Sequence, residues 1–207
     1  AFKISKGQFI VLLAHDDVLL KNSIAKRVQS LEDHKVEVCF HNGYICNDKL
    51  EIQRLLYPED YSVGRDVKNV VRRNPIGGGL IGFTRRIAEE IFPIPDYLKF
   101  EDWWISFICF LNSAEVEYIN EPLVLYRIHD KNDNGTMQQT SYGIVKDLSR
   151  HYSVYEAFID YLREFPNASP REKAKVHKTI VQNQKLVSRT VAGRLSFPSI
   201  KVLRAAG

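Results

Sequence analysis

Asp16 and Asp17 end the stretch FIVLLAHDD, in which six apolar residues, Phe9 to Ala14, run into a histidine and two acids. Adjacent carboxylates are costly to hold side by side unless a cation or a sugar hydroxyl takes up their charge. Six apolar residues match a strand covered on both faces and fall far short of the ~20 needed to cross a bilayer. The spacing therefore predicts a strand with both aspartates at its C-terminal edge, where open α/β sheets bind ligands. A competing reading uses one aspartate to cap the helix that starts near Asn22 and leaves the other to solvent.

A second acidic pair, Glu101 and Asp102, opens the apolar run EDWWISFICFLN. There the helix dipole favours negative charge, which is a sufficient structural reason for both. Trp103 and Trp104 follow directly, either as core packing or as a face on which a sugar ring stacks. Gly77, Gly78 and Gly79 allow backbone shapes that cradle a ligand, or simply turn the chain. Arg127 and His129 close the segment LVLYRIHDKN.

These residues need elements to position them. Ile24, Val28 and Leu31 fall at helical spacing after Asn22-Ser23 and predict a helix to about Glu32, and Val36 to Phe40 follows as a short strand. From Asn47 to Asn74 the chain is mostly polar and reads as a surface excursion with one helix near Asp66 to Arg72. A short helix is expected over Thr84 to Phe92, another from Glu101, then strands over Val116 to Ile119 and Leu123 to Ile128. Beyond Thr140 two helices are expected, one to about Glu164 and a basic one to about Gly193, its start marked by the capping box of Ser169 and Glu172 with Pro170 at the first helical position. The predicted organisation is an α/β domain over 1–139 and a helical hairpin appended over 140–207.

The 207-residue chain has an ordinary globular composition and a net charge of +4. Cys39, Cys46 and Cys109 show no CxxC spacing, which argues against a zinc site or disulfide framework and for reduced thiols in a cytosolic compartment. Asn134-Gly-Thr and Asn167-Ala-Ser match the glycosylation pattern, with nothing resembling a signal peptide ahead of them. Between Arg171 and Arg204 nine Lys or Arg face a single acid, Glu172, which fits a solvated helix face or a contact with an anionic surface.

In order along the chain, a hydrophobic strand ending in HDD, a glycine-rich segment, FEDWW opening a helix, and a strand ending LVLYRIHDKN together resemble the C-terminal two-thirds of an inverting family 2 glycosyltransferase. The likeness covers roughly residues 1–135. It implies a GT-A-like, Rossmann-like mixed sheet, lacking its N-terminal nucleotide-binding portion and followed by the helical hairpin. The motif usually written DxD corresponds to Ala14-His15-Asp16, so its first aspartate is replaced. The resemblance carries Asp16 over as ligand of Mn²⁺ or Mg²⁺, with Asp17 beside it and Arg127 as a diphosphate contact. It makes His129 a further metal ligand, Asp102 the catalytic base and Glu101 a residue orienting the acceptor. Gly78, Gly79, Trp103 and Trp104 become acceptor-binding residues.

Those roles fit the chemistry. Transfer of a sugar from a nucleotide diphosphate sugar, taken to be a UDP-sugar, leaves two negative charges on the departing group, which a carboxylate-held divalent cation stabilises. Inversion requires a base on the face opposite that group, and burial beside the tryptophans would raise the pKa of Asp102 and suit it to the task. The implied acceptor is a saccharide or a lipid-linked one in bacterial surface-polysaccharide synthesis. The implied place is cytoplasmic, peripheral to the inner membrane face, with no nucleic-acid partner. AFKISKGQFI resembles the family's turn just before the DxD strand, so the expectation is a chain lacking most of the nucleotide pocket, with an open strand edge and weak or absent turnover. Two other readings compete: a non-catalytic module docking its basic helices on anionic membrane or nucleic acid, and a metal phosphohydrolase using His15-Asp16 as an HD pair.

Overall fold

A computed structural model describes residues 1–33, 36–62, 66–98, 100–112, 115–129, 141–165 and 169–196. The side chains of 141–149 and 190–196 are outside that description, as are the boundary at 139/140, both glycosylation-pattern asparagines, Lys201 and Arg204. The chain is mixed α/β. Its strands are β1 (Phe9–Val11), β2 (Val18–Leu19), β3 (Val38–Cys46), β4 (Ile52–Leu55), β5 (Ile81–Thr84) and β6 (Val116–Arg127). Its helices are α1 (Ser23–Glu32), α2 (Val67–Arg72), α3 (Arg85–Ile91), α4 (Glu101–Leu111), α5 (Ser141–Glu164) and α6 (Pro170–Ser196).

One mixed sheet runs β1-β5-β3-β6-β2, with β4 also on β3. Among the described strands, β3 and β6 are the one pair that runs parallel. β3 is the spine: its first half pairs with β5 and its second half with β4, while β6 lies along its other edge. It is longer than the predicted Val36 to Phe40 strand, because His41 and Asn42 continue it although both are fully buried polar residues. Asn42 makes this affordable in hydrogen-bond terms. Its Oδ1 accepts from the main-chain N–H groups of Gly43 and Tyr57, each at 2.9 Å, and its Nδ2 donates to Tyr57 O at 3.0 Å. The register slips opposite it, where Pro122 of β6 lies, so the two predicted strands form one irregular strand.

The apolar run Phe9 to Ala14 behaves differently from the expectation. Only Phe9–Val11 pairs, antiparallel to β5, at one end of the described sheet and only partly buried. Leu12 to Asp17 is a turn-bearing connection to β2, so the aspartates follow a short end strand instead of a central, doubly covered one. Asn22 precedes α1 with φ of 67° and no side-chain capping bond. The excursion after Asn47 contains β4, and its Tyr57 and Tyr61 stack on each other and pack against Phe40 and Tyr118. The helix expected over Thr84 to Phe92 is α3, preceded by β5, which the glycine run hid.

The helices α5 and α6 share the main core with the sheet layer. Phe107 of α4 stacks on Phe158 of α5 at 3.8 Å between ring centroids, and Trp103 meets Tyr155 and Phe158 edge-on. Asn183 of α6 donates to the carbonyl oxygens of Val71 and Arg72 at the end of α2. The capping box is present: Ser169 Oγ accepts from the Glu172 N–H, and Glu172 Oε2 accepts from the Ser169 N–H. Arg171, Lys175, Lys178, Lys185 and Arg189 are exposed along α6. Among the described residues no helix is long and apolar enough to cross a membrane.

Because Phe158 is fully buried in the core that α4 shares with α5, Phe158→Ala is expected to cost about 3–5 kcal/mol. Urea unfolding followed by tryptophan fluorescence from α4 and by far-UV circular dichroism should show one coincident transition, shifted in the variant. Two separate transitions would mean that the helical pair unfolds apart from the sheet.

Candidate active site

The connection after β1 is held from three sides. Leu12 N–H donates to Ile81 O at 3.1 Å on β5. Arg27 of α1, fully buried, donates from Nη1 to Leu12 O at 3.0 Å and from Nη2 to Ser23 Oγ at 3.2 Å. Arg127 at the end of β6 donates its main-chain N–H to Asp17 Oδ1 at 3.2 Å and its Nε to Asp16 O at 2.8 Å. Arg127 therefore builds the turn, and it does not line the pocket described next.

That pocket, of ≈ 730 Å³, joins residues far apart in sequence. His15, Asp16, Gly78, Gly79, Glu101, Asp102 and His129 all line it. Asp16 and His129 form one polar cluster, with Nε2 of His129 at 3.2 Å from Asp16 Oδ2. Asp17 sits behind them, 9% exposed, with Oδ2 buried and without a hydrogen-bond partner among the described residues. Burial, reinforced by the charge of Asp16, raises its carboxyl from 3.8 to about 6 despite the Arg127 N–H.

The glycine segment separates the two acidic groups. A Cβ on Gly79 would stand 3.0 Å from Ala14 N and 3.1 Å from Asp17 Oδ2, and one on Gly78 would stand 3.1 Å from Asp102 Cβ. These glycines thus let the Ala14–Asp17 turn and the start of α4 approach one stretch of backbone from two sides. Tyr57 steadies that stretch, its hydroxyl accepting from the Gly77 N–H at 2.9 Å. The chain of control runs from the buried Asn42 through Tyr57 to the glycines.

Asp102 lies in the first turn of α4, where its Oδ1 accepts the Trp103 N–H at 2.8 Å. Burial, then the neighbouring charge of Glu101, raises its carboxyl from 3.8 to about 6, while Asn74 hydrogen-bonds it and pulls the other way. Ser106 fixes Asn74 by donating to its Oδ1 at 2.7 Å. The direction is the one expected from burial, but the indoles do not face the main pocket. Trp103 and Trp104 are 4% and 5% exposed, and their Nε1 groups donate to Val70 O and Ile91 O. Trp104 is a core residue, and Trp103 borders a smaller neighbouring cavity. Both indoles are removed from the acceptor-stacking role expected in the pocket, because burial in the interface with α5 satisfies them better than solvent.

Several pocket residues carry no signal in the sequence. Tyr126 lies in YRIH without drawing notice, yet burial and the charges of Asp17, Asp16 and Asp102 all raise its phenol. Tyr57, which lines the pocket, and Asn74, which hydrogen-bonds Asp102 without lining it, come from the segment read as a surface excursion, although Asn74 opens the stretch NPIGGG. Arg150 comes from α5, is 8% exposed, and sets its guanidinium over Phe100 at 5.6 Å from the ring centroid. His15 is 95% exposed in its side chain and stands 4.0 Å from Asp16, unlike a metal-holding HD pair packed between helices. The three cysteines are free and buried. Among the described residues no group of three or more His, Cys, Asp or Glu is placed to hold a metal ion.

The Asp17 carboxyl has a testable cost. With its folded pKa raised above the ordinary value, it contributes stability that is fully present below about 3.8 and lost as pH rises through about 6. Asp17→Asn keeps the oxygen facing Arg127 and removes the charge. In chelator-treated protein, the variant should gain about 1 kcal/mol relative to the parent between about pH 5 and about pH 7.5. Thermal or urea unfolding at the two pH values measures this, and an equal difference at both would contradict a raised pKa. Comparison with protein-family models and with curated proteins finds no match for this chain.

Proposed function

We propose that this chain is a glycosyltransferase acting with inversion on a nucleotide diphosphate sugar, a UDP-sugar first among the candidates, within a GT-A-like fold. The observation that carries the reading is the single pocket in which Asp16 and His129 stand on one side of the glycine segment and Asp102 with Glu101 on the other. One side suits a leaving diphosphate and the other suits an acceptor.

The donor set fits a divalent cation. Mg²⁺ sites of phosphate-handling enzymes use one or two carboxylates and leave the remaining positions to substrate phosphates and water, so Asp16 would be the principal protein ligand. Asp16 and His129 supply a carboxylate oxygen and an imidazole nitrogen within 3.2 Å of each other. A bound Mn²⁺ or Mg²⁺ would supply charge neutralisation for the departing nucleotide diphosphate.

The chain's own residues do the proton work. Asp102, with a carboxyl near 6, is ionised at neutral pH yet more basic than an ordinary aspartate. It takes the proton of an acceptor hydroxyl as that oxygen bonds to the anomeric carbon, and the bond from that carbon to the diphosphate oxygen breaks on the opposite face. Asn74 and the Trp103 N–H hold the carboxyl in position, and the exposed Glu101 orients the acceptor. A saccharide or lipid-linked acceptor at the cytoplasmic membrane face completes the proposal.

Transfer from a labelled UDP-sugar, however slow, should give the inverted anomer by NMR. Its rate should rise with pH to a plateau above about 6, because Asp102 acts only when deprotonated. Asp102→Asn should lower it by about 10²–10⁴-fold. A retained anomer, or a rate indifferent to Asp102→Asn, would contradict the proposal.

A further inference from the structure

A second cavity, of ≈ 270 Å³, adjoins the main pocket and shares Phe100 and Asp102 with it. Its remaining walls include Arg72 and Arg73 at the end of α2, Trp103 of α4 and His151 of α5. The His151 ring stands edge-on to Phe100 and Trp103, at 5.6 and 5.4 Å between centroids, so the cavity has an aromatic side and a cationic side.

Arginines at a helix C-terminus have a ready structural explanation, since they offset the partial charge of the last carbonyls. Here that need is met by other groups. Asn183 Nδ2 donates to Val71 O at 3.0 Å and Arg72 O at 3.4 Å, and the Arg73 N–H caps Asn69 O at 3.0 Å. Both arginine side chains are exposed, and among the described residues neither lies within ion-pairing distance of a carboxylate. Two arginines lining a small cavity suit the planar, multi-oxygen shape of a phosphate or carboxylate. The cavity opens beside the carboxyl that receives the acceptor's proton, so the anion it suits belongs to the acceptor and not to the donor.

We propose that the acceptor is acidic: a phosphate or carboxylate group on it seats against Arg72 and Arg73 in this second cavity while its hydroxyl meets Asp102. This rests on the transferase reading and names the acceptor class for it. The arginines then serve a second purpose, because they offset the repulsion between the acceptor's charge and Asp102.

The test titrates inorganic phosphate and D-glucuronate, with D-glucose as the uncharged comparator, into the full chain. NMR would follow the indole N–H of Trp103 and the amides of Arg73 and His151. At least one of the two anions should move these signals and glucose should not; which anion binds identifies the charged group. The double variant Arg72→Gln, Arg73→Gln should weaken binding by at least about tenfold. Lys175→Gln with Lys178→Gln, equally exposed on α6, should leave it unchanged, and Asp102→Asn should tighten it. Binding that follows the α6 lysines, or no movement at Trp103 with either anion, would overturn the inference. Nucleotide binding at Asp16 without anion binding at Trp103 would overturn the acidic acceptor alone. Anion binding without nucleotide binding would overturn the transferase reading, and the acceptor assignment with it.

Discussion

Arg127 closes β6 with two bonds onto one turn, its main-chain N–H on the Asp17 carboxylate and its Nε on the Asp16 carbonyl. The turn follows a strand of three residues and could not be held by sheet pairing alone. With Arg127 in place, Asp16 is presented to the pocket beside His129, two residues further along the same segment. The buried guanidinium of Arg27 supports the turn from behind by satisfying Leu12 O. Geometry at the acidic cluster thus depends on two arginines, one buried in α1 and one at the end of β6.

The same economy appears at the other wall. Asp102 is placed by a helix whose hydrophobic face, including both tryptophans, is committed to the core. Glycine suits the backbone between the walls, because a Cβ at 78 or 79 would press on Asp102 or on the Ala14–Asp17 turn and push it aside by a few tenths of an ångström. Desolvation raises both Asp17 and Asp102 to about 6, so the fold carries two carboxyls that are uncomfortable when ionised. Two carboxyls with raised pKa, one lining the cavity and one just behind it, mark this region as a candidate functional site.

Much of this architecture could be read from residue order alone. Amphipathic spacing located α1, and the capping box located the start of α6, because both signals are local. The strands were harder for a physical reason. His41 and Asn42 look like a loop until Asn42 is seen satisfying the backbone of Tyr57, a partner fifteen residues away. Asn120-Glu121-Pro122 looks like a break, yet β6 carries the proline at the irregularity opposite Asn42. In the site, the acidic pairs, glycines and His129 announced themselves by type and order. Tyr57, Asn74, Tyr126 and Arg150 did not, since their relevance comes from tertiary neighbours. The tryptophans show the converse: a residue type suited to sugar stacking is used here to attach α4 to the rest of the core.

Calorimetric titration of UDP into the protein, with and without Mn²⁺, and into Asp16→Asn beside it, tests the central claim most directly. The account expects weak binding that requires the metal and is lost with the Asp16 carboxylate. Binding indifferent to both, or no heat with UDP, GDP or dTDP in the presence of Mn²⁺, would contradict it and would favour a non-catalytic module that docks through its basic helix.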